Sequence, residues 1–138
     1  MDIKIKLLIN NGAKKIIRSI SKNIDDNEKT FIIRWLGECN DVKCYILYEN
    51  NIIKSFAILS KCDFDSFNKY NNPYILDYIF TYPEFRRNNF AYELLNHIKI
   101  SNEISAFCNS NESKKLFIKS GYKLTKINSY PNSFFRYP

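Results

Sequence analysis

A mixed α/β fold is predicted, with a partly parallel central sheet of about seven strands flanked by about four helices. Three features of the chain carry this expectation. Apolar residues recur at period two in some stretches and at helical spacing in others, in the order β-α-α-β-β-β-α-β-α-β-β. Two of the strands are separated only by Glu49-Asn50-Asn51, so they form an antiparallel hairpin. The strand-helix-strand units need right-handed crossovers, which makes other parts of the sheet parallel.

The elements follow in chain order. Ile3, Ile5 and Leu7 alternate with Lys4 and Lys6, the pattern of a half-buried strand, which Asn10-Asn11-Gly12 ends. Ala13, Ile16, Ile17, Ile20 and Ile24 then recur at helical spacing, with Lys14, Lys15, Arg18 and Lys22 opposite. Asp25-Asp26-Asn27 can cap a second helix over Phe31 to Leu36. Val42 to Tyr48 and Ile52 to Ser60 are the arms of the hairpin, and residues 63–72 read as a loop. Tyr74 to Thr81 is the strongest strand signal, closed by Pro83. A helix carrying Ala91, Leu94, Leu95 and Ile98 on one face follows. Ile104 to Cys108 is a short strand, and Ser110 can cap a helix that Gly121 stops. Tyr122 to Ile127 and Ser133 to Tyr137 are the closing strands.

Composition narrows the class. At 138 residues, with neither repeat nor linker, the chain reads as one domain spanning residues 1–138. A net charge of +7 favours anionic partners. Cys39, Cys44, Cys62 and Cys108 form no C-x-x-C pair and His97 is the sole histidine, so neither a zinc site nor a disulfide framework is expected. No apolar run approaches a membrane span, and the charged N-terminus does not read as a signal peptide, which makes the cytoplasm the default compartment.

The chemistry centres on Ile79-Phe80-Thr81-Tyr82-Pro83-Glu84-Phe85-Arg86-Arg87-Asn88-Asn89-Phe90-Ala91-Tyr92. A strand ends, a loop turns, and a helix opens with unsatisfied N–H groups that attract phosphate. On physics alone an ordinary strand-loop-helix link with two solvated arginines is the favoured account. The run resembles the acetyl-CoA signature of the GNAT superfamily: a strand ending in V-x-P, an aromatic, then R/Q-x-x-G-x-G/A opening a helix. Pro83, Phe85, Arg86 and Ala91 fit, while Asn89 stands in place of a glycine. Asn is the best substitute where positive φ is needed. Further on, Ser110 to Tyr122 resembles the family's N-x-x-A-x-x-L-Y-x-x-x-G-F through Leu116, Gly121 and Tyr122.

This resemblance implies a GNAT-like sheet and an N-acetyltransferase that moves an acetyl group from acetyl-CoA to a primary amine by direct attack in a ternary complex. It implies a CoA-binding set of Ile79, Phe80, Thr81, Arg86, Arg87, Asn88, Asn89, Phe90, Ala91, Tyr92, Ser110 and Phe117. A backbone N–H near Phe80 or Thr81 would polarise the thioester. Asp77, within an apolar strand, is the candidate base; the alternatives are that it faces solvent or binds the substrate ammonium. Phe117 stands where many members carry a Tyr acid, which leaves Tyr92, Tyr130 or no acid at all. Cys108 reads as a small buried residue and His97 as a surface or cap residue.

Two other readings compete. One is a catalytically degenerate GNAT-fold protein that binds CoA, which Asn89, Ser110 and Phe117 favour. The other is a basic nucleic-acid-binding module, against which the aromatics fall on strand patterns that look like core. Nucleic acid is therefore not the expected partner. The acceptor is left open between a small molecule and a protein amine. The aromatics from Tyr130 to Tyr137 offer a strand through which two copies could pair.

Overall fold

A computed structural model describes residues 3–21, 24, 32, 41–62, 70–108, 111–125 and 133–137. The expected seven-stranded mixed sheet is present: β1 (Ile3–Ile9), β2 (Val42–Glu49), β3 (Ile52–Lys61), β4 (Pro73–Thr81), β5 (Glu103–Cys108), β6 (Lys123–Thr125) and β7 (Ser133–Tyr137). They lie in the spatial order β1-β2-β3-β4-β5-β7-β6. Three α-helices stand among the described residues: α1 (Asn10–Ile20), α2 (Phe90–Ser101) and α3 (Asn111–Lys119). The helix expected over Phe31 to Leu36 lies outside the described residues. No helix among the described residues is long and apolar enough to cross a membrane.

The turns form where the sequence permits left-handed backbone. Asn50 and Asn51 both take positive φ, 54° and 64°, the geometry that matches the twist of a two-residue hairpin. Gly121 takes φ 86° and ends α3 in a Schellman motif. There Tyr122 N–H donates to the Phe117 carbonyl and Gly121 N–H to the Ile118 carbonyl, each at 3.0 Å. The rings of Phe117 and Tyr122 meet edge-on at 5.1 Å, the apolar contact that accompanies such a stop.

Parallel pairing is scarcer than strand-helix-strand counting suggests. β1 pairs antiparallel with β2, since α1 and the segment after it return the chain beside β1 in the opposite direction. β7 inserts between β5 and β6, antiparallel to both, so the crossover through α3 skips a strand. Among the described residues only β4 and β5 pair in parallel, over Pro73↔Glu103, Tyr74↔Ile104 and Ile75↔Ser105. Beyond that point β4 continues to Thr81 and β5 to Cys108 without pairing to each other.

The sheet buries both faces. On one, Tyr45, Leu47, Leu59, Leu76 and Ile104 pack against Phe90, Leu94, Leu95 and Ile98 of α2 and Phe117 of α3. On the other, Cys44, Ile46, Phe56 and Ile58 pack against Ala13, Ile17 and Ile20 of α1. Burial pushes the Cys44 thiol up to about 12, so it behaves as a small apolar side chain. His97 is exposed, with its ring edge-on to Tyr45. Ile98, on the core face of α2, is fully buried. Ile98→Ala should therefore cost about 2–5 kcal/mol of unfolding free energy, measured by urea denaturation with an unchanged m-value.

Candidate active site

The parting of β4 from β5 opens a slot through the sheet. Tyr82 N–H donates to the Lys54 carbonyl at 3.2 Å, so the even-numbered residues at this end of β4 turn their main-chain groups toward β3. By alternation Ile79 and Thr81 present theirs to the slot. Phe80, whose carbonyl accepts a 2.8 Å bond from Ser55 Oγ, faces β3. The Thr81 carbonyl accepts a 3.0 Å bond from Arg86 Nε.

Beyond β4 a single 3-10 turn spans Pro83–Phe85, and Arg87 and Asn89 both adopt left-handed φ, 68° and 64°. Phe85 N–H bonds the Tyr82 carbonyl at 2.8 Å and Arg86 N–H the Pro83 carbonyl at 3.4 Å. The first intrahelical bond of α2 runs from Glu93 N–H to the Asn89 carbonyl at 2.9 Å. The amides of Phe90, Ala91 and Tyr92 therefore lack a helical acceptor. Among the described residues no main-chain acceptor takes the amides of Arg87, Asn88 or Asn89 either. Successive N–H groups in such a turn, ahead of a helix start, form an anion-binding concavity. Asn89 does not cap α2; its Oδ1 accepts a 3.3 Å bond from Lys119 Nζ. The same Nζ lies 4.4 Å from the centre of the Tyr92 ring.

A cleft of about 830 Å³ joins the turn to the slot. Ile79, Phe80, Thr81, Arg86, Arg87, Asn89, Phe90, Ala91 and Tyr92 line it, all of them singled out by sequence. Asn88 does not; its Nδ2 folds back onto the Phe85 and Arg86 carbonyls at 3.0 and 3.3 Å. Phe117 is turned into the core, 3% exposed, because it supplies the buried contact of the Schellman stop. Ser110 and Tyr130 lie outside the described residues. Tyr78, Phe85 and the α3 residues Glu112, Ser113, Leu116 and Lys119 complete the lining; none stood in the expected CoA-binding set, although Phe85 and Leu116 carry the family resemblance. Helical spacing from Glu112 to Lys119 was the signal that would have placed them on one face.

Asp77 sits at a register break, where β4 slips against Ile58 and Leu59 of β3. The bulge puts its side chain on the α1 face beside Tyr78. Ser60 Oγ donates to Asp77 Oδ2 at 2.8 Å. Burial dominates over this bond and pushes the carboxyl up to about 7. Near neutrality the group divides between both protonation states.

No protein-family model and no curated protein matches the sequence. Solved structures do match in three dimensions. Arabidopsis thaliana NAA60 in complex with acetyl-CoA superposes with a TM-score of 0.67 at 12% identity, over 99% of this chain and 98% of that one. The Bacillus subtilis N-acetyltransferase YlbP in complex with coenzyme A gives 0.66 at 12% identity, over 99% and 96%. The aminoglycoside N-acetyltransferase AAC(6')-Iy in complex with CoA gives 0.64 at 17% identity, over 94% and 93%. The chain has the GNAT fold. In this chain the turn after β4 places Arg87 and Asn89, rather than glycine, in left-handed backbone.

The raised Asp77 carboxyl has a stability consequence whose sign follows from linkage. Between its ordinary value and about 7 the folded chain holds a proton that the unfolded chain has released, so stability falls as pH rises across that window. Asp77→Asn should remove this slope and stabilise the fold at pH 8 by on the order of 1–3 kcal/mol, read from thermal melts at several pH values.

Proposed function

We propose that this chain is an acetyl-CoA-dependent N-acetyltransferase that passes the acetyl group directly to a primary amine. The observation that carries the reading is the row of unspent amides from Arg87 to Tyr92, opening into a slot edged by Ile79 and Thr81. A diphosphate fits the amides, the positive end of α2 and the Lys119 ammonium together. A pantetheine arm, with its two amide groups, fits a strand edge left without a partner.

The steps then follow from the chain's own groups. The Asp77 carboxylate takes a proton from the incoming ammonium, directly or through water. The freed amine attacks the thioester carbonyl, and the oxyanion meets main-chain N–H donors at the slot edge. Collapse breaks the C–S bond, and the thiolate departs. Phe117 cannot protonate it, and the Tyr82 hydroxyl already donates to the Ile20 carbonyl at 3.0 Å. Tyr92 lines the cleft, but its ring lies under Lys119 at the diphosphate end, so the thiolate leaves without help. The burial of Phe117 also favours a second reading, a protein that binds CoA without turning it over. Aromatic rings committed to the core argue against a nucleic-acid module. A soluble cytoplasmic chain acting on a small-molecule or protein amine suits this reading.

Acetyl-CoA should raise the melting temperature, and an amine panel should release CoA thiol in steady state; binding without thiol release selects the second reading. The base must be ionised, so kcat/KM should fall as pH drops through about 7. Asp77→Asn should lose that limb and about 100-fold or more in rate. Lys119→Met should raise the KM for acetyl-CoA roughly tenfold, more at low salt than at high, with kcat at saturation little changed. Steady-state kinetics at two ionic strengths check both terms.

A further inference from the structure

The side chain of Arg86 does not reach along the diphosphate turn. Its Nε is held by the Thr81 carbonyl at 3.0 Å, and its guanidinium lies 5.4 Å from the centre of the Phe80 ring. Phe80 belongs to the α1 face of the sheet, in one cluster with Phe56, Tyr78 and Tyr82. Tyr78 and Phe80 stack at 6.0 Å with planes 12° apart, and both line the cleft. The cleft therefore has two unlike ends. One is the amide turn with Lys119; the other is a pair of stacked rings overlain by a fixed guanidinium, on the face that carries Asp77.

Charge at the second end is informative. Among the described residues no carboxylate pairs with Arg86, the recorded ion pair being Lys54 with Glu49. Of the described charged groups lining the cleft, Arg86, Arg87 and Lys119 are cationic and Glu112 alone is anionic. A polycationic amine would meet like charge there. With Nε spent on Thr81, the two terminal nitrogens of Arg86 retain the paired donors that match a carboxylate. Held over a ring, the guanidinium loses little freedom on binding one.

We infer that the acceptor is a primary amine with a flat or apolar body that bears a carboxylate, which Arg86 grips while the body lies against Tyr78 and Phe80. The inference rests on the acetyltransferase reading above. It makes Arg86 a specificity residue on the acceptor side, with acetyl-CoA held by the other end of the cleft.

L-phenylalanine, phenethylamine and spermidine separate the terms, since the first two differ by the carboxylate alone. Thiol release with acetyl-CoA should give kcat/KM for phenylalanine at least about tenfold above phenethylamine, with spermidine lowest. Arg86→Gln should erase the gap between phenylalanine and phenethylamine while leaving the KM for acetyl-CoA within about twofold. Preference for phenethylamine or spermidine overturns the inference, as does an Arg86→Gln variant whose loss appears in the KM for acetyl-CoA. Failure of the unaltered protein to bind acetyl-CoA by calorimetry overturns the acetyltransferase reading as well. Binding with turnover of phenethylamine but no gain from the carboxylate overturns the acceptor assignment alone.

Discussion

The separation of β4 from β5 after Ile75 and Ser105 is the constraint on which the rest of the molecule depends. Within a sheet every main-chain N–H and C=O needs a partner, and strands that part forfeit theirs. Over the last residues of β4 the chain meets this demand on one side only, through β3. On the other side Arg86 satisfies one carbonyl, that of Thr81. The remaining edge is open to water or to a ligand that can imitate a strand. The two core clusters hold the geometry apart. Phe90, Leu94 and Ile98 of α2 fix one face, and the ring cluster of Phe56, Tyr78, Phe80 and Tyr82 fixes the other. Neither cluster closes the gap without giving up buried area, so the slot persists as a feature of packing.

The turn that follows solves a related difficulty without glycine. Left-handed backbone costs an L-residue on the order of 1 kcal/mol, and Arg87 and Asn89 both adopt it. Asn bears that cost best because its short amide bonds locally. Here the amide of Asn89 is engaged across the fold by Lys119 rather than by its own helix. The bond draws the side chain off the N-cap position and leaves the helix-start amides uncovered. α3 thus contributes to the shape of the turn as well as to its charge.

Most of the fold was legible because it rests on local patterns. All seven strands were read from the sequence at about their observed places, and Asn50-Asn51 and Gly121 marked turns by their tolerance of positive φ. The cleft lining between Ile79 and Tyr92 was legible because it needs only a strand end, a turn and a helix start. Three things were not legible. The insertion of β7 between β5 and β6 is a tertiary choice that spacing does not encode. The inward turn of Phe117 follows from the Schellman contact with Tyr122, which competes with any outward role. The direction of Arg86 depends on a carbonyl freed only because two strands part, a fact invisible in a linear pattern.

Asp77 shows how these features combine. A carboxylate in an apolar strand would ordinarily be expelled to water, yet here a bulge keeps it on the buried face beside the rings that line the cleft. Ser60 offers it a hydroxyl at 2.8 Å and a backbone donor, together too little to offset burial, which pushes the carboxyl up to about 7. A more complete set of donors would stabilise the anion and make it a weaker base. An apolar replacement would pack better and do no chemistry. On the acetyltransferase proposal, that burial cost serves a proton that must come and go.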